Sequence, residues 1–247
     1  MIKKMISRLV PRAIKNQRNR FLKNRFQKLV EKNGSKKIFE HIYEKNFWGS
    51  DESVSGAGST LEQTAEVRKI LPTLFKNYDV KSFLDLPCGD FNWMQEVGMN
   101  DIEYIGADIV EKMIQMNQSK YGSPQKAFKV INLLENELPE VDMIMCRDCF
   151  IHLSDNDIFK ALENIKKSKI KYLLTTSYVN RTTNTDILTG HFRTLNLLVA
   201  PFTTGCIATF NESCTEKEGE LNDKSLILIN LEEYRNKTRD TISAGIL

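Results

Sequence analysis

The sequence predicts an α/β protein: a doubly wound, mostly parallel seven-stranded sheet with an antiparallel C-terminal pair, preceded by a basic, helical N-terminal arm. Three observations carry this. Apolar runs alternate with amphipathic ones from residue 61 to residue 177, at the spacing of βαβ units with helices on both sheet faces. One apolar run, SFLDLPCGDFNWM (82–94), ends in Asp85 and breaks at Pro87, Cys88 and Gly89, as a buried strand does on entering a tight turn. Near the end, CIATF (206–210) and SLILINL (225–231) follow one another with polar text between them, as the strands of an antiparallel pair do.

Residues 1–45 form the arm and residues 46–247 the domain. In the arm, Ile2, Met5, Ile6, Leu9 and Val10 recur at helical spacing, as do Phe21, Leu22, Phe26, Leu29 and Val30 after the break at Pro11. FWGSDESVSGAGSTLEQT (47–64) is loop-like. It closes on Thr60 with Gln63 three residues later, a capping box that opens a helix over 61–77. Strands are expected at 82–86, 103–108, 127–131, 141–146 and 171–177, and helices at 92–98, 110–120 and 155–168. Residues 179–204, polar and Thr-rich, interrupt this rhythm as an insertion or lid.

Composition narrows the function classes. A chain of 247 residues, 41% hydrophobic and 27% charged, suits one sizeable globular domain. No apolar stretch approaches the roughly 18 residues of a membrane span. Lys and Arg interrupt each apolar run near the N-terminus, unlike a secretory signal, so the expected location is cytoplasmic. The net charge of +3 hides an asymmetry: residues 1–37 hold 13 Lys and Arg against one acid, Glu31, and the remainder is net −9. Such an arm suits an anionic surface at the inner membrane face, a partner protein's helix or nucleic acid; a solvated helix packed on the domain accounts for it equally well. The five cysteines are scattered and odd in number, so reduced thiols are expected. Cys146 and Cys149 form a CxxC with His152 nearby, but no second ligand pair completes a zinc set, and no metal site is expected.

In a doubly wound sheet the ligand lies outside the carboxyl ends of the strands. Asp85–Gly89 is such a place. Asp108 ends the next strand, YIGAD, 19 residues beyond Gly89, where a carboxylate accepts hydrogen bonds from ribose hydroxyls. Pro87, Phe91 and Asn92 replace the bare glycines that admit a pyrophosphate, so a nucleoside without phosphates fits better.

The stretch DLPCGDF (85–91) resembles motif I of the class I S-adenosyl-L-methionine (SAM) methyltransferases, commonly D-x-G-x-G-x-G. GAD (106–108) resembles their ribose-binding acidic site. Asn132-Leu133 falls where that fold contacts adenine, and VDMIMCRDCFIHLS (141–154) resembles motif IV, beside the transferred methyl. The likeness runs from about Trp48 to Glu232. SGAGSTLEQT (55–64), RTLNLLVAPF (193–202) and EGELNDKSLILINL (218–231) are similar to a bacterial subgroup associated with capsule and surface-glycan genes, some linked to O-methyl phosphoramidate decoration. This resemblance implies a Rossmann-like fold with SAM as cofactor, contacted by Asp85, Pro87, Cys88, Gly89, Asp108, Ile109, Asn132, Leu133 and Arg147.

Methyl transfer from a sulfonium needs the nucleophile and the methyl aligned at contact distance, and a base where a hydroxyl must lose its proton. His152, whose ordinary pKa is near neutrality, is the expected base, with Asp148 orienting it or binding the acceptor. Trp93 reads first as core and second as a substrate platform; Tyr178 and Arg193 flank the insertion, where they could grip an anionic acceptor. Ser59 and Thr60 start a helix whose amides would face the cofactor's carboxylate. The leading expectation is O-methylation of a small or glycan-linked acceptor in capsular or surface polysaccharide synthesis. A nucleic-acid or protein methyltransferase is the alternative, as is a non-catalytic SAM-binding scaffold. Against nucleic acid, CRDCF stands where an NPPY-like motif would follow the fourth strand, and no aromatic interleaving makes the arm a single-strand binder.

Overall fold

The computed structural model describes residues 34–236; the apolar pattern read in residues 1–33 lies outside them. The chain enters through a helix, α1, whose described part is 34–44. It then runs through α2 (Ala65–Asn77), β1 (Ser82–Asp85), β2 (Glu103–Asp108), α3 (Glu111–Tyr121), β3 (Lys126–Val130) and β4 (Met143–Cys146). The remaining elements are α4 (Asp155–Lys167), β5 (Tyr172–Tyr178), β6 (Ala208–Asn211), β7 (Lys224–Asn230) and a helical turn, α5, at 231–236.

The seven strands form one sheet in the order β3-β2-β1-β4-β5-β7-β6. Neighbours from β3 to β5 are parallel, and β7 runs antiparallel to both β5 and β6. The chain winds outward from β1 through β2 to β3, then restarts at β4 on the other side. The strand order therefore reverses between β1 and β4, and a crevice opens at their carboxyl ends. Register brings those ends level: Asp85 pairs with Gly106 on one side and Met145 on the other.

Alternation along the strands divides the core. Phe83, Tyr104, Phe128, Met143, Met145, Leu174, Leu226 and Leu228 face α2, which buries Val67, Leu71, Leu74 and Phe75 against them. Leu84, Ile144, Cys146, Leu173, Ile227 and Ile229 face the other way, onto α4. That helix presents Ile158, Ala161, Leu162 and Ile165 at i, i+3, i+4, i+7, and begins where Ser154 Oγ accepts the Asp157 amide at 3.2 Å. No helix among the described residues is long and apolar enough to cross a membrane.

Three expectations need correction. Residues 92–98 form a single 3₁₀ turn, Met94–Glu96, rather than a helix. A seven-residue segment gains little from helix propagation, and Asn92, which would cap it, is bonded to Glu52 and Ser59 instead. The helix expected from residue 61 starts at Ala65. Thr60 Oγ1 does accept the Gln63 amide at 3.3 Å, but the Gln63 side chain reaches across to Thr215 instead of closing the box. Residues 179–204 carry no helix or strand, yet they are fastened down: Leu195 and Leu197 are buried, and backbone bonds tie Gly190 to His152, Arg193 to Ile151 and Tyr178 to Leu195. The segment is an insertion packed on the sheet end. The arm boundary at residue 45 also falls badly, because Ile38 and Ile42 of α1 are buried in the fold.

Candidate active site

The crevice holds a cavity of about 380 Å³, walled by the turns after β1, β2, β3 and β4, by a strap at 54–59, and by Phe39, Ile42 and Tyr43 of α1. Its floor is the turn after β1. The Cys88 amide donates to the Ala107 carbonyl at 2.8 Å, which draws the turn against β2. Gly89 has φ 56°, and a Cβ there would lie 2.2 Å from Ser55 Oγ, so only glycine lets the strap close on the turn. Phe91, standing where the resembled motif has its last glycine, also adopts a positive φ, 60°. Its ring is buried at 5.0–5.2 Å from Tyr104, Tyr121 and Phe128, and this packing holds the strained backbone in place.

The strap is bonded to that floor. Asp90 accepts from the Val54 amide (2.9 Å) and from the Ser53 and Ser55 hydroxyls (3.0 and 3.3 Å). Arg147 donates to the Gly58 carbonyl at 3.0 Å, and Asn92 to that of Ser59 at 3.2 Å. No α-helix offers free amides after the β1 turn; the strap and the turn supply the backbone there instead.

Two carboxylates stand at the strand ends. Asp85 is buried with Tyr104 Oη donating to it at 2.9 Å. Burial drives its pKa up to about 8, against the Tyr104 bond and Arg147, with Asp108 adding to the rise. Burial also raises Asp108, to about 6, opposed by amides of Val110 (3.0 Å) and Gly89 (3.4 Å). Both carboxylates line the cavity, as do Pro87, Cys88, Gly89, Ile109, Asn132 and Leu133. The Asn132 side-chain oxygen accepts the Leu134 amide at 3.0 Å, holding its own loop.

After β4 the chain turns through Asp148, at φ 51°, into a 3₁₀ turn at Phe150–His152. His152 Nδ1 lies 2.8 Å from the His191 carbonyl, an acceptor only, so Nδ1 carries the hydrogen and Nε2 keeps its lone pair. Its ring stacks on Trp48 at 4.5 Å and 28°, with Phe192 at 5.9 Å. Burial lowers its pKa, opposed by the His191 bond and Asp148, so the imidazole is neutral near pH 7. Asp148 is not its orienting partner. Its carboxylate is bonded to Lys224 Nζ (2.7 Å) and lies 3.2 Å from Arg147 Nη1. These two cations overcome burial and hold its pKa down at about 2. Arg147 also pairs with Glu212 at 2.7 Å, and its guanidinium lies 5.4 Å from the Trp93 ring centre. Arg147 thus joins the strap to the sheet.

Tyr178 and Trp93 line the cavity, but Arg193 does not. Arg193 is buried, donating to Asp155 and to the Thr185 and Leu153 carbonyls, and so holds the insertion to α4 rather than facing an acceptor. The structure adds Phe39, Ile42, Tyr43, Trp48, Phe192, Glu216 and Lys224 to the lining. Among the described residues no cluster of His, Cys, Asp and Glu is placed to hold a metal ion.

No protein-family model matches the chain, and no curated protein does. Solved structures do. N-methyltransferase NodS from Bradyrhizobium japonicum, in complex with S-adenosyl-L-homocysteine, superposes with a TM-score of 0.54 at 13% identity, over 76% of this chain and 97% of that one. An S-adenosylmethionine-dependent methyltransferase from Clostridium acetobutylicum gives 0.51 at 13%, over 78% and 97%. The methyltransferase domain of a bacterial Hen1, CtHen1, gives 0.51 at 12%, over 69% and 100%. The chain therefore has the Rossmann-like fold of these methyltransferases.

Proposed function

We propose that this protein is a SAM-dependent methyltransferase that methylates an oxygen of a small or glycan-linked acceptor. One observation carries the reading: the two strand-end carboxylates and a histidine held through Nδ1 to the His191 carbonyl share one cavity at the switch point of the sheet. The cavity fits the cofactor's chemistry. Asp108 suits the ribose hydroxyls, Asp85 the α-ammonium, and the apolar walls of Ile109, Val110 and Leu133 the adenine. The bare Gly89 backbone under Ser55 supplies close approach.

The bound cofactor supplies a methyl group on a positively charged sulfur. What the chain contributes is placement and a proton acceptor. Trp48 and the His191 carbonyl fix the His152 ring so that its Nε2 lone pair is available to take the acceptor's hydroxyl proton. Arg147 ties the strap over the turn, donating to the Gly58 carbonyl at 3.0 Å. Calorimetry of S-adenosylhomocysteine binding tests the cofactor assignment. Asp108→Ala removes charge-assisted hydrogen bonds of roughly 1.5–3 kcal/mol each and should weaken binding at least tenfold. Equal affinity in wild type and variant would refute the ribose site.

A further inference from the structure

The acceptor side of the cavity has a definite charge. Two cations line it, Arg147 and Lys224, and both are engaged. Arg147 lies 3.2 Å from Asp148 and 2.7 Å from Glu212; Lys224 lies 2.7 Å from Asp148 and 3.6 Å from Glu212. The four form a closed, neutral quartet, with both cations and Glu212 almost wholly buried. Glu216 stands outside it. It lines the same cavity, half-buried, and makes no ion pair within 4 Å with any described residue. Its one side-chain hydrogen bond is a weak one from the Cys214 thiol at 3.8 Å. A Cβ on Gly58 would meet Asp148 Oδ2 at 3.2 Å, Glu216 Oε2 at 3.3 Å and Lys224 Nζ at 3.6 Å, so this carboxylate faces the strap at the edge of the quartet, next to a cation already paired with Asp148.

We propose that the acceptor carries a protonated amine, and that Glu216 binds it. This rests on the cofactor reading above, which makes this half of the cavity the acceptor's. An anionic acceptor entering here would meet the Glu216 carboxylate, with both wall cations, Arg147 and Lys224, already held in ion pairs. An ammonium instead gains a charge-assisted hydrogen bond to Glu216 and restores neutrality. At the rim the Lys217 ammonium, on the neighbouring exposed turn, lies 4.5 Å from the centre of the Phe192 ring, and Phe192 borders His152. Amine recognition at Glu216 leaves a hydroxyl of the same molecule for His152. Amino alcohols and amino sugars have that chemistry.

The test uses the full-length protein and three flat probes of one size, benzylamine, benzyl alcohol and benzoate, with binding followed by NMR titration with and without saturating S-adenosylhomocysteine. Benzylamine should bind at least tenfold more tightly than benzoate. Glu216→Gln should erase that preference, and Glu216→Asp should restore part of it. Benzoate binding as well as benzylamine, or an unchanged preference in Glu216→Gln, would overturn the proposal. So would a Glu216→Gln protein that loses affinity for SAM over S-adenosylhomocysteine with its probe ranking intact, since the carboxylate would then serve the sulfonium. Failure of the wild type to bind S-adenosylhomocysteine refutes the cofactor reading alone; the probe ranking on the ligand-free protein still decides the amine site.

Discussion

Asp85 gives a sharp test of the site's electrostatics, because its cause and its pH window both follow from the structure. Burial raises its folded-state pKa from 3.8 to about 8. Between those values the folded protein holds a proton that the unfolded chain has released. The stability this group contributes is therefore complete below about pH 4 and is lost as pH rises through about 8. Within the window the loss is ~1.4 kcal/mol per pH unit, the free energy of one proton per tenfold change in its activity. Asp85→Asn keeps the shape and an acceptor for Tyr104 Oη but cannot ionise, so it lacks this slope. Urea unfolding of both proteins at pH 5, 6 and 7 should show the variant gaining on the wild type by about 1.4 kcal/mol at each step, or about 2.7 kcal/mol in all. Saturating S-adenosylhomocysteine should flatten the wild-type slope, since an ammonium beside Asp85 favours the ionised form. Parallel stability lines from pH 5 to 7 would show that Asp85 is already ionised in the folded protein, and the reasoning would fail.

Two further predictions follow. His152→Ala should lower turnover with an amine-bearing hydroxyl acceptor by about 10²–10⁴-fold while leaving S-adenosylhomocysteine affinity within twofold, because the loss falls on proton transfer; near-normal turnover with an unshifted pH profile would refute the base. Deleting residues 1–45 should lower stability by about 3–6 kcal/mol, since it removes Ile38 and Ile42, each worth roughly 1.5–3 kcal/mol on burial, and should weaken cofactor binding; urea unfolding that matches the full chain would show that α1 is an ornament on the domain.

What was legible in the sequence was set by local pattern. Strands β1 to β5 fall within one or two residues of the expected spans, because an apolar run bounded by turn residues carries its own boundaries. The antiparallel pair was readable for the same reason. Asp85, Gly89 and Asp108 line the cavity at strand ends, places that the sequence marks because the fold puts a crevice there. The misses share a different cause. Trp48, Glu216 and Lys224 line the cavity, but each comes from a segment whose local pattern reads as loop or plain strand, and only tertiary packing brings them together. Arg193, in the insertion, and the orienting role expected of Asp148 share that cause: a charged side chain looks free to act until its partner is known, and Asp155 and Lys224 lie 38 and 76 residues away. Phe192 illustrates the limit, since being next to Arg193 in sequence gives no sign that one side chain reaches the cavity and the other does not.

The two halves of the cavity handle charge in opposite ways, and this bears on how a transfer reaction can run there. On the side proposed for the cofactor the carboxylates are left under-compensated. Asp85 has a tyrosine hydroxyl and Asp108 two amides, so burial lifts both pKa values toward neutrality and an incoming cation lowers them again. A cation bound there would displace protons, so its binding should depend on pH. On the acceptor side the quartet of Arg147, Asp148, Glu212 and Lys224 is already neutral, and the cations overcome burial to keep Asp148 ionised at any physiological pH. Such a quartet adds little net attraction for a ligand, but a chamber wall that cannot change its charge presents a constant field to His152.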